Sequence, residues 1–125
     1  MIVGVGIDLI EMERFQAAMN RQGERFLAKL FTRGERRYCE GKWNRLAHYA
    51  ARFAAKEAVL KALGTGWSGG IHWTDVELVP ARSGALTVKL SGVAKKVAAE
   101  KKIRAVHVSI THARENAAAV AVAET

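Results

Sequence analysis

Acidic residues are scarce in this chain: Asp and Glu number 12 against 20 Lys and Arg in 125 residues, a formal net charge of +8 with a pI near 10.1. The imbalance favours acidic partners, and nucleic acid, an anionic membrane, a phosphorylated cofactor or an acidic protein would each fit. Proline occurs once and half the residues are hydrophobic, which reads against disorder. Cys39 is the sole cysteine, so an intramolecular disulfide is excluded, a reducing compartment is permitted and a cytoplasmic location is expected. No apolar run approaches the roughly 20 residues that span a bilayer, so no membrane insertion is expected. The run 2–10 is short, has no basic flank and contains Asp8, which reads against a signal peptide. Basic residues are not interleaved with aromatics as base-stacking surfaces require, so a nucleic-acid partner is not expected. The length suits one domain, 1–125, with a sizeable core.

Along the chain, 2–10 reads as a strand in which Gly4 and Gly6 permit close backbone approach. Apolar spacing predicts helix over 11–29, interrupted at Gly23. Thr32 and Glu35 have the spacing of a capping box that starts a short helix ending near Glu40. A long helix is expected over 44–63, with Gly64 as its C-terminal cap. Beyond Gly70 the period changes. Strands are expected at 73–79 and 85–90, then a helix over 91–101 capped by Ser91, then a hairpin of strands 106–111 and 117–123. Helices early and strands late indicate an α+β fold.

Two acids stand where apolar residues belong. Asp8 interrupts the first strand, and Glu57 falls on the stripe Leu46, Ala50, Phe53, Leu60 of the long helix. A desolvated carboxylate needs a cation or hydrogen bonds, and two of them in a basic chain suggest a hard metal ion held by oxygen. Taken alone, Asp8 would more simply be a helix N-cap, and Glu57 with Lys61 an ordinary i,i+4 pair. Arg45, His48, Arg52 and Lys56 share another face of the same helix. Such a face is usually just solvated, but with Lys61 it would also suit phosphate groups. The segment Gly64-Thr65-Gly66 opens a glycine-rich stretch that follows its helix, unlike a phosphate loop, and is either a flexible connection or a cover for a ligand. Gly4 and Gly6 lack the third glycine of a dinucleotide fingerprint. Arg14, Arg21 and Arg25 share roughly one side of the first helical region, a solvated face or a docking strip for an acidic helix. His112 ends a strand beside a turn, where structural and site histidines both occur.

Three segments together resemble the holo-acyl-carrier-protein synthase family, the small bacterial phosphopantetheinyl transferases. They are Gly4-Val5-Gly6-Ile7-Asp8 followed by a helix bearing Arg14, Phe53-Ala54-Ala55-Lys56-Glu57-Ala58 continuing through Lys61 to Gly66, and Val108-Ser109-Ile110-Thr111-His112 before an Ala- and Val-rich final strand. The resemblance implies a long central helix packed on a mainly antiparallel sheet. It implies Mg²⁺-dependent transfer of the 4′-phosphopantetheine arm of coenzyme A to a serine of apo acyl carrier protein, in support of fatty acid biosynthesis. Asp8 and Glu57 would hold the metal and, with Lys61, act in catalysis. Arg45, Arg52, Lys56, Lys61, Gly64, Thr65, Gly66 and His112 would bind coenzyme A, and Arg14, Arg21 and Arg25 the acidic carrier protein. A homotrimer is implied, with active sites between subunits and with Asp8 and Glu57 from different chains. The family's usual Gly-Lys/Arg-Pro before the second late strand is here Gly84-Ala85-Leu86. A nucleic-acid-binding domain and a Mg²⁺-dependent phosphohydrolase are the competing readings; the first leaves Asp8 and Glu57 without a role.

Overall fold

Side chains on a strand alternate between faces, and the first strand uses this alternation in an uncommon way. Its even positions Gly4, Gly6, Asp8 and Ile10 are wholly or partly covered, whereas the odd positions Val5, Ile7 and Leu9 are 61%, 69% and 65% exposed. The computed structural model describes residues 1–66 and 69–125. Its elements are β1 (Ile2–Glu11), α1 (Met12–Gln22), α2 (Glu24–Leu30), α3 (Arg33–Glu40), α4 (Arg45–Leu63), β2 (Val76–Pro80), β3 (Leu86–Leu90), α5 (Gly92–Glu100), β4 (Ala105–His112) and β5 (Asn116–Glu124). Two antiparallel sheets form, one in the order β1-β5-β4 and the other β2-β3.

Helix α4 lies across the three-stranded sheet at very short range. A Cβ placed on Gly4 would come within 1.9 Å of the Ala62 carbonyl oxygen, and one on Gly6 within 1.9 Å of that of Ala58. Small residues line both surfaces: Ala54, Ala55, Ala58 and Ala62 of the helix and Ala117, Ala119, Ala121 and Ala123 of β5 are all buried. Larger side chains fill the flanks. Val59, Leu60 and Leu63 pack with Val76 and Leu78 of β2 and Ala94 of α5. On the other side Phe15 meets Phe26 at 5.5 Å and Phe53 at 5.6 Å, next to Leu27, Phe31 and Tyr49.

The α+β class, the break at Gly23 (φ 64°), the Thr32–Glu35 capping box and the left-handed cap at Gly64 (φ 80°) all match the sequence reading. Three expectations change. Residues 73–75 form a single 3-10 turn, so the strand expected from 73 starts at Val76. Ser91 occupies the N-cap position of α5 with extended backbone but makes no side-chain capping bond. Helix α4 is buried almost all round, and Leu46, Phe53 and Glu57 are only half-buried. Leu46, Phe53 and Glu57, with exposed Lys61, thus form the more open edge of the helix, whereas Ala50 and Leu60 of the same stripe are fully buried.

The close contact makes a prediction. Gly6→Ala must separate strand from helix and should lower unfolding stability by about 3 kcal/mol, at the upper end for overpacking. Gly23→Ala, with open space around it, should lose only about 1 kcal/mol through its positive φ. Urea denaturation of both variants checks the difference; equal losses would contradict the steric account.

Candidate active site

The alternation that seats Gly4 and Gly6 against α4 also turns Asp8 toward that helix. Its Oδ1 lies 3.2 Å from Lys61 Nζ, which also donates to the Ile7 carbonyl at 2.9 Å. Asp8 Oδ2 is buried and has no hydrogen-bond partner among the described residues. The N-cap role is set aside, because α1 starts at Met12 with Glu11 at its cap position. Glu57 stands one helical turn before Lys61 on the open edge of α4. A single chain therefore pairs Asp8 with Lys61, and Glu57 stands one helical turn before that lysine.

Among the described residues no group of three or more His, Cys, Asp or Glu gathers as a metal site. Two carboxylates, one with an orphaned buried oxygen, still suit a hard cation that keeps most of its shell for water and phosphate oxygens, as Mg²⁺ does. The donor set fits that ion and would suit a soft metal poorly.

The basic face of α4 divides. Arg45 is exposed and engages Glu40, with Nη2 at 2.8 Å from Oε2, and the same carboxylate oxygen accepts from the Tyr49 hydroxyl at 2.7 Å. These bonds hold the Glu40 carboxyl below its ordinary range. Arg52 is only 2% exposed, its guanidinium lies 4.2 Å from the centre of the Tyr38 ring, and its Nε has no partner among the described residues. It borders a cavity of about 290 Å³ shared with Tyr38, His48, Gly84, Leu86 and Ser109. His48 lies 6.2 Å from the ring of His112, the exposed last residue of β4. Burial first, then Arg52, Lys42 and His112, push His48 below its ordinary value, so near neutrality it is uncharged. A concave site with the guanidinium of Arg52 in its wall suits a phosphorylated ligand. Gly84-Ala85-Leu86 adds apolar surface to it and no charge.

Lys56 is displaced from the predicted set. It is fully buried, with Nζ 2.7 Å from Glu35 Oε1 and further bonds to the carbonyls of Trp73 and Val76. It therefore does not present its charge to a ligand. Sequence spacing assigned it to a surface because nothing local reveals its partner, Glu35, which was legible only as a capping residue. Tyr38 was missed altogether, having no pattern of its own in the sequence, and Ser109 was read only as part of the segment ending at His112, with no role assigned.

Gly64 caps α4, and Thr65 N–H bonds back to the Leu60 carbonyl at 3.2 Å while its hydroxyl donates to the Gly66 carbonyl. The rest of the glycine-rich stretch includes Trp67 and Ser68, which lie outside the described residues. Arg14 and Arg21 border an apolar groove formed by Leu9, Phe15, Ala18 and Phe53, whereas Arg25, beyond the Gly23 break, is exposed and does not line it. Cys39 is fully buried and burial pushes its thiol up to about 12, so it is no nucleophile.

Comparison with known proteins agrees with this geometry. Residues 4–123 match the model of the 4′-phosphopantetheinyl transferase superfamily. A holo-[acyl-carrier-protein] synthase of Solibacter usitatus is 46% identical over 112 residues, 90% of each chain. The crystal structure of the holo-[acyl-carrier-protein] synthase of Neisseria meningitidis superposes with a TM-score of 0.93 at 27% identity, covering 100% of both chains. That of Bacillus anthracis, solved in complex with CoA (3′,5′-ADP), gives 0.83 at 33% identity over 100% of this chain and 98% of the other. By this match over nearly its whole length, the chain belongs to the 4′-phosphopantetheinyl transferase superfamily and is an enzyme of its holo-[acyl-carrier-protein] synthase type.

Proposed function

We propose that this enzyme transfers the 4′-phosphopantetheine arm of coenzyme A to a serine of an apo acyl carrier protein, in a Mg²⁺-dependent reaction serving fatty acid biosynthesis. The observation that carries the reading is the unpartnered Oδ2 of Asp8 beside Lys61, one turn from Glu57. It is supported by the coenzyme A bound in the Bacillus anthracis relative. The serine oxygen bonds to the phosphorus that carries the pantetheine arm. The bond from that phosphorus to the bridging oxygen breaks, and adenosine 3′,5′-bisphosphate leaves. Glu57 would accept the serine proton, and Lys61 would bring positive charge to the phosphate oxygens. Asp8 and Glu57 would hold Mg²⁺, which when bound supplies neutralisation of the pyrophosphate charge. Arg52 and His112, with Gly64, Thr65 and Gly66, would seat the nucleotide end. Positioning and charge complementarity account for most of the catalysis in such chemistry.

The groove edged by Arg14 and Arg21 is the proposed dock for the acidic carrier protein, where cations at the rim steer association. A homotrimer is the proposed assembly, with the active sites between subunits. Its support is the apolar odd face of β1, which with the partly exposed Val120 of β5 leaves a hydrophobic stripe open to water. Among the described residues no helix is long and apolar enough to cross a membrane, and a cytoplasmic site of action is part of this reading.

Asp8→Ala and Glu57→Ala should each lower turnover by about a hundredfold or more, the scale of losing a transition-state charge partner, while unfolding midpoints stay near that of the parent. Intact-mass analysis of apo carrier protein incubated with coenzyme A and Mg²⁺ reads the transfer, and full activity in either variant would sink the assignment. Arg14→Glu should raise the KM for carrier protein about tenfold at low salt and leave that for coenzyme A alone; an unchanged carrier KM would argue against the groove. Ile7→Glu should yield monomers by light scattering, and a trimer surviving that change would place the interface elsewhere.

A further inference from the structure

One buried cluster has no part in the transfer as described. Lys56 and Glu35 are both inaccessible to solvent and form an ion pair at 2.7 Å. Glu35 Oε1 also accepts from Thr32 N–H at 2.9 Å, and Oε2 from Leu78 N–H at 2.9 Å. Lys56 spends its remaining donors on the carbonyls of Trp73, at 3.1 Å, and Val76. The start of α3, the middle of α4, the 3-10 turn and β2 thus meet in one saturated polar knot.

Such a pair is a weak source of stability, since desolvating two charges offsets most of their attraction. What it supplies is fixed geometry among the elements it joins. Two of those elements pack on α4 beside residues of its open side or of the Arg52 cavity. Trp73 is where the chain returns to α4 after the glycine-rich stretch leaving Leu63, and its ring packs on Phe53 at 5.0 Å. The other end of that excursion is held by the Gly64 cap and by Lys101 donating to the Leu63 carbonyl. On the opposite side, Glu35 anchors the helix carrying Tyr38, and the Tyr38 ring supports the guanidinium of Arg52, one turn before Lys56.

We propose that Lys56 is a positioning residue for coenzyme A. Through Glu35 it seats the Tyr38 ring against Arg52, and through the Trp73 carbonyl it fixes the return of the glycine-rich segment, so it governs how tightly the nucleotide is held without touching it. This rests on the transfer reading above. It assigns the motif lysine beside Glu57 a role distinct from that of Lys61, which reaches Asp8.

The test is Lys56→Met, assayed for phosphopantetheine transfer with each substrate varied in turn. The KM for coenzyme A should rise about tenfold, with the carrier-protein KM and kcat within about threefold of the parent. Leu27→Ala, a comparable loss in the second core, should melt at lower temperature yet keep the parental KM for coenzyme A. A parental coenzyme A KM in Lys56→Met, with only the melting temperature lowered, would reduce the pair to scaffold and overturn the proposal. If Lys56→Met does not fold, hydrogen exchange on the unaltered protein decides. Saturating adenosine 3′,5′-bisphosphate should slow exchange at residues 71–76 about tenfold, and unchanged rates there would overturn the proposal. Transfer by the parent with neither effect defeats this inference alone, whereas a parent that transfers nothing defeats the transfer reading and this inference with it.

Discussion

The close seating of β1 on α4 is the constraint from which the rest of the site follows. Gly4 and Gly6 remove the side chains from the first half of one face of the strand, and the helix backbone at Ala58 and Ala62 occupies the space. Only at that separation does a lysine on α4 span to an aspartate two residues further along the strand. A larger residue at either glycine would lift the strand away and separate Asp8 from Lys61 even with every polar residue unchanged. The geometry of the Asp8–Lys61 pair is thus set by absent side chains as much as by present ones.

Charge in this protein is sorted by depth. Exposed cations such as Arg14 and Arg21 stand at a groove rim, where water screens them. Arg52 and Lys56 lie in the interior, where an unpaired charge is costly. The two interior residues meet that cost differently. Lys56 is satisfied by a carboxylate and two carbonyls, whereas Arg52 relies on an aromatic face and, among the described residues, retains an unmatched N–H beside a cavity. A saturated group suits a fixed joint, and an unsaturated one suits a place where a ligand arrives.

Much of this was readable from residue order. Gly23, Gly64 and the Thr32–Glu35 pair act locally through backbone conformation and short-range hydrogen bonds, so their signals survive in sequence. Asp8 and Glu57 were conspicuous because each violates a period. Lys56 defeated the same method. Its helical spacing from Arg45, His48 and Arg52 is that of a solvated face, and only the packing of α3 and β2 on that side buries it. The same packing leaves Phe53 and Glu57 half-buried at the open edge of the helix, while Ala50 and Leu60 of their stripe are buried as its apolar spacing suggests. Position 73 misled for a related reason, since the hydrogen bond between the Asp75 side chain and His72 N–H favours a turn before the strand starts.

The pairing of β1 with β5 also bears on how the molecule comes into being. The first strand can find its hydrogen-bonding neighbour only after more than a hundred intervening residues are in place, as the partnering of Ile7 with Val120 illustrates. Loop closure over that span must precede the contacts that reward it, so the central sheet is a slow, late-forming assembly. During synthesis on the ribosome, helices α1 to α4 emerge while β1 still displays Val5, Ile7 and Leu9 beside an unpaired edge. That interval makes the nascent chain a natural client for chaperones, and it means that Asp8 takes its place beside Lys61 among the last events of folding.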